Sequence, residues 1–335
     1  MSYRRFASMA ALVALSAGVM LAQTPAAKTA AAAKTWTPPR TPDGKPDLQG
    51  IWSNGTVTPL ERPKNLGAKE FYTDEEYAKL MSRIKEQGEV GEEGELGAAR
   101  RGNALRFDLE LYGFDVKKTS FASNKRTSLI VGPEGRIPTM LQEAKDRNAA
   151  RIEKNKGHEF DSYENRPFQE RCVFMNFERI PMLPGANDNG NLLQITQGPG
   201  YVSMFHEIDH NIRVIPTDGR PHVPQNVRLW NGDSVGHWDG NTLVVDTANF
   251  TDRFPFRGSS DRLHLIERFT RTEDGLTYQF TVEDPATWDK PWTVEIPWKP
   301  NKGPIYEWAC HEANGQEANI LRGARVAEQE AARKQ

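Results

Sequence analysis

The back half of the chain reads as a series of short strand-like runs, and in one of them apolar and polar residues alternate cleanly. Leu276, Tyr278, Phe280 and Val282 are interleaved with Thr277, Gln279, Thr281 and Glu283. Period two puts the first set on one face of a strand and the second on the other, so one face packs and one stays wet. Comparable runs cover 192–196, 201–207, 212–216, 234–238, 242–247, 263–272, 292–298 and 305–310. Several are parted by Gly198-Pro199-Gly200, Asp218-Gly219, Asp239-Gly240-Asn241 and Glu273-Asp274-Gly275. Asp-Gly between alternating runs is a hairpin signal. The pattern predicts a mainly β fold: an antiparallel meander closing into a barrel or a strongly curved sheet. Closure would remove the exposed edges.

The front half reads differently. A first strand is expected over 48–53. Thr73 and Glu76 then form a capping box, each side chain within reach of the other's orphan backbone N–H. Tyr77, Leu80, Met81 and Ile84 supply the apolar stripe of the helix that follows. A Gly- and Glu-rich surface loop is expected over 88–101 and a strand pair around 127–131, turned by Gly132-Pro133-Glu134-Gly135. A second, polar helix is expected over 139–155. These two helices would pack on the sheet. The organisation is therefore a mixed α/β wrapping region (41–189), a β-meander (190–312) and a C-terminal tail (313–335), together one globular domain.

Ahead of it, Arg4 and Arg5 precede an almost uncharged run from Phe6 to Ala22, followed by Gln23-Thr24-Pro25. That is the form of a signal peptide over 1–23. The run is shorter than the roughly 20 residues of a membrane span. The Ala-, Thr- and Pro-rich 24–40 reads as a linker. No stable membrane span is expected after cleavage, and the destination is extracytoplasmic, periplasmic or secreted. In that setting Cys172 and Cys310 are expected to pair, which would stabilise the fold by about 4 to 5 kcal/mol in the chain-entropy model. Two free thiols, one a nucleophile beside His311, are the alternative. With a formal net charge of −2 over 335 residues, the chain lacks the basic field that nucleic-acid partners require.

Several blocks carry a resemblance: PDLQGIWSN (46–54), RTSLIVGPEGRIP (126–138), RVIPTDGRPH (213–222), GHWDGNTLVVDTANFTD (236–252), VEDPATWDKPWT (282–293) and YEWACHEAN (306–314). In these the chain resembles an uncharacterised family of exported bacterial proteins, with Ala313 where that family usually has Gly. The resemblance implies export and a shared architecture, and no activity. Gly50-Ile51-Trp52 and Gly236-His237-Trp238 are also similar to the Gly-x-Trp pattern of lipocalin-type barrels, a fold likeness that implies no function.

Candidate chemistry falls in two places. His206-Glu207-Ile208-Asp209-His210 spells H-E-x-x-H, which binds zinc only on a helix. Its flanks are strand-like, and strand positions four apart lie about 13 Å from each other. No metal is therefore expected there. No nucleophile elbow, phosphate-binding glycine loop or C-x-x-C pair occurs, so no cofactor is expected either. The second place is the inward parity of the late strands. Glu267 shares a face with Leu263, Leu265 and Phe269, and Glu307 with Ile305, Ala309 and His311. If those faces converge, Glu267, Glu307 and His311, with His210, are candidate acid–base residues. The alternative is an internal ion-pair network that fixes strand register. Arg213, His222, Trp238, His264 and Glu312 are candidate ligand contacts around such a β pocket. The preferred function is binding of a small organic molecule or glycan fragment. The alternatives are a hydrolase or lyase using the Glu/His cluster, or a purely structural protein.

Overall fold

The alternating runs do form strands. A computed structural model describes residues 36–93, 124–173, 180–184, 192–312 and 314–334. Residues from Thr37 onward belong to one compact unit. The expected signal segment and most of the linker lie outside the described residues. The strands are β1 (Gly50–Ser53), β2 (Leu192–Gly198), β3 (Tyr201–His206), β4 (Ile212–Pro216), β5 (Asp233–Asp239), β6 (Thr242–Ala248), β7 (His264–Arg271), β8 (Leu276–Glu283) and β9 (Trp292–Asn301). They make one sheet in the order β4-β3-β2-β1-β9-β8-β7-β6-β5, with every neighbouring pair antiparallel. Two hairpin meanders, β2–β4 and β5–β9, are thus joined through β1, which inserts between β2 and β9.

The sheet does not close into a barrel by backbone pairing: β4 and β5 remain its two ends. Nine flat strands about 4.8 Å apart would hold those ends nearly 40 Å from each other. Yet Nε of Arg213 on β4 donates to Oγ of Ser234 on β5 at 2.9 Å. A Cβ added to Gly236 on β5 would stand 2.9 Å from Cγ2 of Ile215 on β4. The sheet is therefore curled until its edges touch through side chains. Pro216, at the end of β4, has no N–H to offer a ladder and suits an edge strand.

The inner face holds the core. Trp52, Ile195, Met204, Ile215, Leu243, Phe269, Tyr278, Phe280 and Trp298 are all buried. Phe269, Tyr278 and Trp298 form an aromatic block, with ring centroids 4.8 Å apart for Phe269–Tyr278 and 5.1 Å for Tyr278–Trp298.

Among the described residues three helices accompany the sheet: α1 (Asp74–Glu93), α2 (Gln142–Asn155) and α3 (Gln316–Arg333). The capping box of α1 is formed in both directions, Thr73 N–H to Oε2 of Glu76 at 2.8 Å and Glu76 N–H to Oγ1 of Thr73 at 3.2 Å. Residues 88–93, expected in a loop, continue α1; the rest of that loop lies outside the described residues. Helix α2 docks on the β8–β9 connection, where Nη2 of Arg147 donates to Oγ1 of Thr287 at 2.9 Å. In that connection the buried carboxylate of Asp284 accepts from Ser260 N–H at 2.7 Å, Ser260 Oγ at 2.9 Å and Thr287 Oγ1 at 2.6 Å. The distinctive 282–293 block is thus a turn built around one satisfied acid.

Three expectations change. The strand pair at 127–131 is reduced to isolated bridges, Phe71 with Arg126 and Ile130 with Val294. Residues 305–310 are not a strand; β9 already has β1 and β8 on its two sides, so the chain leaving it finds no free edge. The C-terminal tail contains α3, whose residues are all exposed or only partly buried. Among the described residues no helix is long and apolar enough to cross a membrane.

Candidate functional site

The candidate residues separate into three groups. The first lies on the inner face. Glu267, fully buried on β7, meets Arg213 from β4 through both carboxylate oxygens, with Nη1 to Oε1 at 3.0 Å. Tyr278 Oη donates to Oε1 at 2.8 Å and Thr247 Oγ1 to Oε2 at 3.1 Å. Arg213 also reaches Thr247 Oγ1 at 2.7 Å, besides Ser234. Burial first, and then the Glu267 charge, hold the Tyr278 phenol well above its usual value, so it stays a donor. His206, at the end of β3, is also buried. Burial and then the Arg213 charge push its pKa down to about 3, so the ring is neutral. The carboxylate that looked like a buried acid or base has every oxygen occupied.

Glu307 and His311 do not join it. Both are exposed in the segment after β9, as is Glu312. That segment is held at three points. Tyr306 N–H donates to Oε1 of Glu207 at 2.9 Å, Trp308 N–H donates to Nε2 of His210 at 2.8 Å, and Cys310 is disulfide-bonded to Cys172. His210, in a single 3-10 turn with φ +47, is thus an anchor for the C-terminal segment. The H-E-x-x-H run spans a strand end and this turn, with His206 facing the core. Among the described residues no group of three His, Cys, Asp or Glu side chains could hold a metal ion. Trp238 sits on the inner parity of β5, partly buried against the core, which is a packing position.

The third group lies on the outer face. His222, in the β4–β5 connection, places Nδ1 2.8 Å from Oδ2 of Asp233 and Nε2 3.0 Å from Oδ1 of Asp246. His264 on β7 places Nε2 2.9 Å from the same Asp246 oxygen and Nδ1 3.0 Å from Oε2 of Glu283. The result is a half-exposed row, Asp233–His222–Asp246–His264–Glu283, crossing β5 to β8. Hydrogen bonding to Asp246 outweighs burial and, with the Glu283 contact, raises the His264 pKa to about 9. Burial alone would raise Asp246, but the His264 and His222 contacts overcome it and its pKa is lowered. His222 and His264 were legible as candidates; Asp233, Asp246 and Glu283 were not. Strand parity does put Asp246 opposite the core-facing Val245 and Thr247, but the register of β6 on β7 (Asp246 against Ile266) is set across a 15-residue connection and is not readable from the residues.

A further feature opens on the protein surface where the 130–138 segment meets the start of β9. Val131 N–H bonds Thr293 O at 2.9 Å. Beside this junction is a cleft of about 420 Å³, walled by Val131, Pro133, Pro138, Pro291 and Trp292 and carrying Glu134, Arg136 and Lys290. No protein-family model, curated protein or solved structure matches the chain.

Proposed function

We propose that the protein works outside the cytoplasm as a binding protein for a small organic molecule or glycan fragment, and that the ligand occupies the cleft between 130–138 and β9. The observation that carries this reading is a contrast in space. The inner face of the sheet carries the buried core, while this cleft opens on the surface and combines apolar walls with a few charged groups, the usual make-up of a small-molecule site. The Cys172–Cys310 disulfide supports an oxidising compartment. Membership of an exported family remains part of the proposal.

The test is a thermal-shift screen of sugars and small organic acids, amides and alcohols on the whole protein, repeated on Val131→Trp. Val131 is 37% exposed, so the larger ring fills the cleft without entering the core. Stabilisation by a compound that disappears in Val131→Trp is expected. A hit that survives the substitution would place the ligand elsewhere and end this reading.

The acid–base alternative is favoured by one observation, the perturbed His264 in its carboxylate row. In that reading His264 is a general acid oriented by Asp246, in a hydrolase or lyase. Turnover of a glycoside or ester panel that His264→Asn abolishes, with folding intact, would establish it. No turnover of any panel member would reject it.

A further inference from the structure

Behind the cleft wall stands a positive charge that meets no carboxylate among the described residues. Arg62 is 1% exposed. Its guanidinium bonds Thr127 Oγ1 at 2.8 Å, Gly132 O at 3.0 Å, Pro133 O, and Gly67 O at 3.4 Å. Its backbone N–H takes Gly135 O at 2.7 Å. No ion pair to it occurs among the described residues. The turn carbonyls are therefore drawn inward, away from the cleft, to solvate this cation. Gly135 is required for the approach: at φ +56, an added Cβ would stand 2.8 Å from Cζ of Arg62.

A buried charge is screened far less than an exposed one. Glu134 and Lys290 pair across the cleft at 2.9 Å, with side chains 65% and 52% exposed, so water weakens both. Asp289 stands beside Lys290, and Glu61 is engaged by Ile137 N–H at 3.0 Å. The field that reaches the cleft least attenuated is that of Arg62, reinforced by Arg136. The cations behind and beside the wall call for an anion, while the proline and valine walls call for an apolar body.

We infer that the ligand of this cleft is a ring compound bearing a carboxylate, which displaces Glu134 from Lys290. This rests on the cleft being the binding site, as proposed above. The experiment titrates the whole protein with two matched pairs, benzoate against benzamide and glucuronate against glucose, followed by tryptophan fluorescence and calorimetry. In at least one pair the anion is expected to bind about tenfold tighter than its neutral partner. Lys290→Gln with Arg136→Gln should reduce that preference and leave the part set by Arg62, and Glu134→Gln should tighten the anion alone. Glu134 and Lys290 are exposed and Arg136 is only partly buried, so folding is preserved. Equal binding of anion and neutral partner would overturn the carboxylate inference and leave the cleft reading standing. Inorganic phosphate competing as well as the preferred acid would overturn the requirement for a ring. Absence of binding by all four compounds up to millimolar concentration would overturn both.

Discussion

The two faces of the sheet carry similar residue types arranged to opposite effect. Inside, Arg213 and Glu267 bridge β4 to β7, fully desolvated, with Thr247, Ser234 and Tyr278 satisfying the remaining bonds. Outside, His222 and His264 alternate with Asp233, Asp246 and Glu283 on a half-wet surface. The inner network joins strands from the two ends of the order and so ties the curl shut where no ladder does. The outer row joins neighbouring strands and a connection that are already placed. Burial decides the difference: the same charges that lock a fold when dry become a titrating surface when wet.

Breaking the inner pair should give the largest effect. Arg213→Ala leaves Glu267 charged and unpaired in the core, and Glu267→Gln leaves Arg213 in the same position. Each is expected to lower unfolding free energy by about 3 to 5 kcal/mol, read from urea denaturation. A loss below about 1 kcal/mol would mean that the pair is solvated and that the edges are not held through it.

The comparison sharpens if both charges go together. Arg213→Met with Glu267→Leu removes the mutual dependence. Ser234 and Thr247 keep each other at 3.2 Å, and Tyr278 keeps Met182 N–H at 3.2 Å. The double variant should recover most of the single-variant loss. If its loss equals the sum of the two singles, the residues act independently, and the network does not fix the curl.

How much of this was legible in the residues follows from which rules are local. Strand existence and parity are local, so Leu276–Glu283 and Ile212–Pro216 match their expected bounds, and the capping box at Thr73 is made as written. Pairing order is not local. Nothing near Gly50–Ser53 says that β1 inserts between β2 and β9, and an internal ion-pair network around Glu267 was readable only as one alternative. The expected convergence of Glu267, Glu307 and His311 assumed that 305–310 continues the sheet. The occupied neighbours of β9 deny it an edge, and parity there loses its meaning. Arg62 and Gly135 gave no periodic signal, because a loop that wraps one side chain has no period.

The outer row should show a smaller, pH-dependent effect. The folded pKa of His264, about 9, is raised above its ordinary 6.5. The stability it contributes is therefore fully present below about pH 6.5 and is lost as pH rises through about 9. With a third of the side chain exposed to screening water, the loss should be about 1 to 2 kcal/mol. The lowered pKa of Asp246 has the opposite sign, its contribution being present above the ordinary 3.8 and lost as pH falls further. Urea midpoints at about pH 6 and about pH 10, compared with those of His264→Asn, isolate the term. An unchanged difference between the two pH values in His264→Asn would show that the row does not titrate as its geometry requires.

The smallest effect is expected at His222, which belongs to the β4–β5 connection rather than to a strand. Its two ring contacts and the Val223 N–H to Asp233 bond at 2.9 Å hold that connection against the sheet. Asn249 Nδ2 to Val223 O at 2.9 Å holds it independently. His222→Ala should therefore cost less than about 1 kcal/mol globally while raising amide exchange in the neighbouring residues of the connection. Exchange spreading into β4 and β5 would instead mean that the outer row shares in holding the sheet edges together, and the division of labour between the two faces would fail.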